Sequence, residues 1–204
     1  MGLFLKTANI LDSVPVDTTT GLGPASRWVQ RWSHLVRRRG TVLDIACGPG
    51  RHMQWFCEQG HTVTGLDRSP AAIAVASGFG EVVLADIENA RWPLMQGGQT
   101  RQFDAVIVTN YLWRPLFEVM VQSLAPGGVL IYETFAQGHE KIGKPSNPAF
   151  LLQPNELLTA FKSLRIVAFE DGFLDHPSRF VQRIAAVRPD SGNQPDQTPT
   201  RYKL

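Results

Sequence analysis

Two hydrophobic rhythms alternate along the chain. Continuous apolar runs cover residues 42–46, 62–66, 82–85, 104–109 and 129–133. Runs of that length and density predict strands covered on both faces. Between them, apolar residues recur at helical spacing over 53–59, 71–76, 115–124 and 156–163. An earlier helix carries Trp28, Trp32, Leu35 and Val36 on one face. Ser26 or a neighbour caps it, Arg37, Arg38 and Arg39 fall in its last turn, and Gly40 stops it. Strands alternating with helices predict parallel pairing through right-handed crossovers. Residues 165–169 and 180–187 read as two more strands, joined by too few residues for a crossover, so this pair is expected to be antiparallel.

The connecting segments complete the layout. Residues 1–22 read as irregular, with Pro15 and a run of threonines. Residues 23–188 form one domain that includes the first helix. Residues 189–204, rich in Pro, Gly, Gln, Asp and Thr, read as a disordered tail. Residues 87–101 are mostly loop, and 136–150 form a long polar loop with Gly and Pro. No internal repeat is evident.

Composition narrows the classes. The 204 residues carry a formal net charge of +2, which gives no electrostatic footprint for a dedicated nucleic-acid binder. By default Arg37, Arg38 and Arg39 are a helix-end feature, with an RNA or phosphate contact as the alternative. Cys47 and Cys57 are the two cysteines, too few for a secreted disulfide scaffold, so both read as reduced thiols of a cytoplasmic protein. Cys47, inside a glycine turn, reads as a small packing side chain rather than a nucleophile. Leu3, Phe4 and Leu5 are too short a run for a signal peptide, and Lys6 stands where a myristoylation motif needs Ser or Thr. No apolar run approaches the roughly 20 residues of a membrane span.

The most informative segment is Val42-Leu43-Asp44-Ile45-Ala46-Cys47-Gly48-Pro49-Gly50-Arg51-His52. A buried strand ends there in a turn of small residues and opens into a helix, so that backbone can approach a ligand closely. The third glycine of the dinucleotide fingerprint is missing, and there is no G-x-x-x-x-G-K-[ST] loop. Asp44 would repel a pyrophosphate but suits a cationic ligand. The second strand ends at Asp67 and the third at Asp86-Ile87. Three carboxylates at the carboxyl ends of successive parallel strands therefore meet at the edge where such sheets bind ligands. Asp104, at the amino end of its strand, reads as structural.

In that order and spacing, residues 42–51 resemble motif I of the class I S-adenosylmethionine (SAM)-dependent methyltransferases. Asp67 and Asp86 match the acidic positions after strands two and three. Phe103-Asp104-Ala105-Val106-Ile107-Val108 resembles the fourth-strand motif, and Leu124-Ala125-Pro126-Gly127-Gly128-Val129-Leu130 the L-x-P-G-G-x-L before strand five. The resemblance covers roughly residues 37–188. The wording Cys-Gly-Pro-Gly-Arg-His is similar to small bacterial methyltransferases, including those related to tellurite-resistance and thiopurine enzymes.

The resemblance implies an α/β fold: a doubly wound, Rossmann-like seven-stranded sheet, mostly parallel with an antiparallel last strand. It implies SAM as cofactor, with a binding set of Asp44, Ala46, Cys47, Gly48, Gly50, Arg51, Asp67, Arg68, Asp86, Ile87 and Asn110. Within that set, Asp44, Ala46, Gly48 and Gly50 would line the methionine part, Asp67 the ribose, and Asp86 with Ile87 the adenine.

Methyl transfer from a sulfonium is an in-line displacement in which the protein mainly positions the nucleophile and excludes water. Asn110-Tyr111-Leu112-Trp113 follows strand four and lacks the signature of amino-group methyltransferases acting on DNA or glutamine. Tyr111 reads as a substrate contact or as a packing aromatic. Arg114 reads as a contact to an anionic substrate or as an exposed helix-start residue. In the loop after strand five, His139 and Glu140 are the acid-base candidates, and His176 and Arg179 lie near the last turn. The histidines show no metal-ligand spacing, so no metal is expected. A small-molecule acceptor is the leading expectation. An RNA or protein acceptor, or a nonenzymatic SAM-binding protein of the same fold, is the alternative. A nicotinamide-dependent oxidoreductase comes third.

Overall fold

The computed structural model describes residues 22–190 and 201–204. Residues 1–21 and 191–200, and with them most of the expected irregular start and tail, lie outside the described residues.

The seven long strands are β1 (Thr41–Ile45), β2 (Thr62–Asp67), β3 (Glu81–Leu84), β4 (Phe103–Thr109), β5 (Leu124–Phe135), β6 (Arg165–Asp175) and β7 (Ser178–Val187). They form one sheet in the order β3-β2-β1-β4-β5-β7-β6. Strands β1 to β5 pair in parallel, and β7 runs antiparallel to both β5 and β6. The fold is the seven-stranded α/β sheet expected, with its last strand reversed. The chain winds outward from β1 to β3, then returns to the other side of β1 with β4. The order therefore switches between β1 and β4, and a crevice opens beyond their carboxyl ends.

Alternation along the strands builds two apolar layers. Leu43, Ile45, Val106, Val108, Leu130, Tyr132 and Ile184 face one way, toward Met120 of α4 (Phe117–Gln122) and Leu157 of α5 (Glu156–Ala160). Val42, Ala105, Ile107, Val129, Ile131 and Ala185 face the other way. There they meet Trp28 and Trp32 of α1 (Arg27–Trp32), Met53 and Phe56 of α2 (Arg51–Glu58) and Ala76 of α3 (Pro70–Ala76). Ser26 caps α1 by accepting from Trp28 N–H, and Ser69 caps α3 by accepting from Ala72 N–H.

Several boundaries differ from those read along the chain. The first helix continues only as a 3-10 turn, Ser33–Leu35. Arg37, Arg38 and Arg39 therefore lie in the following turn, closed by Gly40 N–H on Arg37 O at 2.8 Å. A Cβ on Gly40 would sit 2.8 Å from that oxygen and 2.9 Å from Asp104 Cβ, so the turn needs glycine there. Arg37 pairs with Asp104, whose Oδ2 also accepts from Thr41 N–H at 2.7 Å. Asp104 thus ties β4 to the start of β1. The loop 87–101 holds a small hairpin, Met95–Gln96 with Gln99–Thr100, turned by Gly97 and Gly98 at φ 58° and 79°. Strands β6 and β7 extend to Asp175 and Ser178, well past the expected ends. At the chain terminus Tyr202 packs under the Arg165 guanidinium, 5.4 Å from its ring centre. Among the described residues no helix is long and apolar enough to cross a membrane.

Gly80 leads into β3 where the backbone of β2 leaves no room. A Cβ there would lie 2.2 Å from Val63 O. Gly80→Ala is expected to destabilise the fold by about 1–3 kcal/mol, the usual range for overpacking. A urea midpoint equal to that of the wild type would show that β3 shifts freely instead.

Candidate active site

The turn after β1 is shaped by backbone that most residues avoid. Ala46, Gly48 and Gly50 have φ of 54°, 55° and 93°. Among the described residues no atom lies within 4 Å of where a Gly48 Cβ would stand, so this backbone faces open space there. Gly50 is closely packed, with Ala76 and Phe79 3.1 Å from a Cβ position. A side chain on Gly65 of β2 would meet Met53 Sδ at 2.2 Å and Cys47 Sγ at 2.9 Å. The turn, α2 and β2 are therefore fitted together through glycines.

Asp67 holds the turn from the next strand. Its Oδ2 accepts from Gly48 N–H at 2.9 Å and its Oδ1 from Ser69 N–H at 2.8 Å. Asp86 organises the turn after β3 in the same way, accepting from Glu88 N–H at 3.1 Å and Asn89 Nδ2 at 2.9 Å. The Asn89 hydrogen bond is the chief cause that draws the Asp86 carboxyl below its ordinary range.

A cavity of about 420 Å³ opens along these ends. Asp67, Arg68, Asp86, Ile87 and Glu88 line one part of it, and Ala46, Asn110, Tyr111 and Leu112 another. Thr134 and Phe135 of β5, with Pro145 and Phe150 of the following loop, complete the wall. The structure thus brings Ala46, Asp67, Arg68, Asp86, Ile87, Asn110 and Tyr111 to one cavity. Gly48 and Gly50 shape its turn. Tyr111 is half-buried, with Glu88 beside its hydroxyl. Burial, and then the Glu88 charge, push that phenol above its ordinary range.

Asp44 and Cys47 sit beneath the turn. Asp44 is 1% exposed, and its Oδ2 has no hydrogen-bond partner among the described residues. Burial pushes this carboxyl up to about 8. Burial also raises the Cys47 thiol, with the Asp44 and Asp67 charges adding to it, which suits a packing residue and not a thiolate. His52, also buried, is pushed down to about 3 by burial. Ser26 N–H donates to its Nε2 at 3.2 Å, so the ring proton resides on Nδ1, 3.9 Å from Asp44 Oδ2.

The candidate acid-base residues are less exposed to the cavity than the loop composition suggests. His139 is buried against Phe135, ring centres 4.5 Å apart, and its Nε2 lies 3.0 Å from Lys144 O. A carbonyl only accepts, so Nε2 carries the proton and Nδ1 is bare, with no partner among the described residues. Glu140 accepts from Gly138 N–H at 2.7 Å and so orders its own loop. His176 is exposed at the tip between β6 and β7. Arg114 grips Glu156 with Nε and Nη2 at 2.6 and 3.0 Å and also donates to Ala149 O and Leu151 O. It anchors the loop that carries Phe150.

One group went unread along the chain. Glu133, 1% exposed on β5, accepts from Ser26 Oγ at 2.8 Å, Arg179 Nη2 at 3.3 Å and Arg183 Nη1 at 3.1 Å. Arg179 Nη1 lies 3.4 Å from Asn110 Oδ1. A charged residue inside an otherwise apolar run was the one available signal.

The buried pair sets a pH dependence. Native Asp44 keeps its proton up to about 8, whereas the unfolded group releases it near 3.8. The native state then binds the extra proton, and stability falls as pH rises through this window. His52 acts oppositely, losing stability as pH falls from 6.5 toward 3. The two oppose each other below 6.5, and Asp44 acts alone from 6.5 to about 8. Urea unfolding is expected to show stability declining over that upper interval in the wild type and not in Asp44→Asn. Equal slopes in the two proteins would contradict the burial assigned to Asp44.

With the geometry in place, comparison with known proteins is informative. Residues 42–128 match a family model described as a methyltransferase domain. The 2-heptyl-1-hydroxyquinolin-4(1H)-one methyltransferase of Mycobacteroides abscessus is 45% identical over 40 residues, which is 20% of this chain and 18% of that relative. Among solved structures, TehB from Haemophilus influenzae superposes with a TM-score of 0.63 at 19% identity, covering 79% of this chain and 61% of TehB. The N-methyltransferase NodS from Bradyrhizobium japonicum gives 0.59 at 17% identity, covering 79% and 96%. The chain thus spans less than two thirds of the quinolinone methyltransferase and of TehB, and at these identities the two structures attest the fold. The family-model match runs from β1 into the start of β5, over the strands and turns that build much of the cavity, and covers less than half of the chain.

Proposed function

We propose that the protein is a SAM-dependent methyltransferase that transfers a methyl group by in-line displacement to a small-molecule acceptor. The observation that carries this reading is a cavity with carboxylates along one part and aromatic side chains along the other.

The residues present fit the cofactor that the family implies. Asp44 is a buried carboxylate with an unpartnered oxygen beneath the turn, and Gly48 leaves space above it. An ammonium group near Asp44 would supply the missing partner and favour its ionised form. Each oxygen of Asp67 accepts one backbone hydrogen bond and keeps acceptor capacity for ribose hydroxyls. Asp86 suits the adenine edge, and Ile87, buried beside it, the adenine face. When bound, SAM supplies an electrophilic methyl group on a sulfonium.

The chain's own contribution is positioning and exclusion of water. Tyr111, Phe135, Pro145 and Phe150 give the acceptor a mostly apolar enclosure, typical of small-molecule sites. The Arg114 clamp on Glu156 holds the segment bearing Phe150 in place. Tyr111 is held as a neutral phenol that donates or accepts a hydrogen bond at the acceptor. The bare Nδ1 of His139 is the nearest candidate for an acid-base role, behind Phe135 and outside the cavity lining. The quinolinone named for the Mycobacteroides relative is a small aromatic acceptor, in keeping with this enclosure.

Incubation with methyl-labelled SAM and a panel of small aromatic hydroxyl, amine and thiol compounds tests the reading, with bulk tRNA and protein as comparison. Label transferred to a small compound supports it, and label found only in RNA or protein contradicts it. Asp67→Ala is expected to weaken SAM binding by about 1–3 kcal/mol, through lost charge-assisted hydrogen bonds and a looser Gly48 turn, with far-UV circular dichroism unchanged. An unaltered affinity would remove Asp67 from the site.

A further inference from the structure

Thr134, at the carboxyl end of β5, is 1% exposed and yet lines the cavity. Its hydroxyl has no hydrogen-bond partner among the described residues. Side chains alternate along a strand, so Thr134 and Glu133 face opposite ways. Glu133 turns to Ser26, Arg179 and Arg183, which take its oxygens. Thr134 stands opposite Gln182 of β7, on the same face of the sheet. That amide is already engaged. Its Oε1 accepts from Leu157 N–H at 2.9 Å, and its Nε2 donates to Gln153 O at 2.7 Å and to Asp171 Oδ2 at 2.9 Å. Over the strand end, Leu152 N–H donates to Phe135 O at 3.0 Å and brings in the segment that carries Phe150. The Thr134 hydroxyl is therefore held away from bulk water. Hydroxyls so placed are seldom left unpaired, because burying one without a hydrogen bond is costly.

We propose that Thr134 is a specificity-determining residue of the acceptor site, where its hydroxyl hydrogen-bonds a neutral hydroxyl or carbonyl oxygen on a flat aromatic acceptor. Four side chains that share its part of the cavity, Leu112, Phe135, Pro145 and Phe150, are apolar, and three of them are rings that suit a flat apolar body. The Tyr111 hydroxyl stands beside Glu88, and the Asn110 amide oxygen lies 3.4 Å from Arg179 Nη1. Thr134 thus offers the free hydroxyl on this wall. A hydroxyl both donates and accepts, so either type of oxygen satisfies it. Apolar surroundings penalise an ionised group far more than a neutral one, which favours a neutral oxygen. The strand holds the group in place. Thr134 is paired within the sheet and β-branched, with a restricted χ1, so its hydrogen bond orients the acceptor at little entropic cost. A site built this way discriminates against an analogue that lacks the oxygen, because the hydroxyl is then left unpaired.

This inference rests on the methyltransferase reading, and equilibrium dialysis of the full chain separates the two. Wild type, Thr134→Val and Thr134→Ser are saturated with S-adenosylhomocysteine and dialysed against 1-naphthol, 1-indanone and naphthalene. The first compound carries a neutral hydroxyl, the second a carbonyl and the third no oxygen. Valine keeps the shape of Thr134 and removes its hydroxyl. The wild-type preference for each oxygen-bearing compound over naphthalene is expected to fall about tenfold in Thr134→Val, the scale of one lost hydrogen bond, and to persist in Thr134→Ser. Naphthalene should bind Thr134→Val as well as wild type or better, which a damaged fold would not allow. The affinity for S-adenosylhomocysteine should be the same in all three proteins. A preference that survives in Thr134→Val, or is missing in the wild type, overturns the role of Thr134. A wild-type complex that binds none of the three compounds overturns the aromatic class of acceptor. Wild type that does not bind S-adenosylhomocysteine contradicts the methyltransferase reading instead.

Discussion

The hydrogen bond from Gly48 N–H to the Asp67 carboxylate joins the turn after β1 to the end of β2, and the site depends on it. Without it, the left-handed backbone at Ala46, Gly48 and Gly50 would have no support from the neighbouring strand. Ser69 N–H on the other Asp67 oxygen extends the tie to the start of α3. One carboxylate therefore fixes two strand-to-helix turns and faces the cavity as well. The carboxyl edge of a parallel sheet makes this economy available, because successive strand ends lie side by side about 5 Å apart. The glycines at 50 and 65 serve the same geometry by letting α2, α3 and β2 close around the turn.

Much of this was legible in the sequence because it depends on local order. Where an apolar run ends, the next polar residue stands at a strand end, so Asp44, Asp67 and Asp86 could be placed at one edge before any coordinates. The reversed last strand followed from a connection too short to cross over. The remainder depends on contacts between distant segments. Glu133 joins Ser26, Arg179 and Arg183, which are 107, 46 and 50 residues away. No periodicity encodes such a meeting. Arg114 showed the same limit. The sequence allowed a contact to an anionic substrate or an exposed residue, and the structure places it instead in a clamp on Glu156 and two carbonyls. Helix ends were misplaced where a turn competed. Gly40 and Asp104 close the chain after Leu35, so the three arginines fall outside the helix.

Electrostatics divides the site in two. Along β2 and β3, Asp67 and Asp86 are satisfied by backbone and side-chain donors and remain ready to accept more. Beneath and beside β1, Asp44 Oδ2 and Arg179 Nε have no hydrogen-bond partner among the described residues. Buried polar groups are rarely left so. Under the proposed function, a ligand with an ammonium or sulfonium group would give Asp44 a partner and favour its ionised form, which a dinucleotide would not.

The central claim is that this cavity holds SAM. Calorimetry of the wild-type protein with SAM, S-adenosylhomocysteine and NADH tests it most directly. Binding of the first two at about 1:1 with no heat from NADH is the result this account predicts. Binding of NADH without either SAM compound would contradict it.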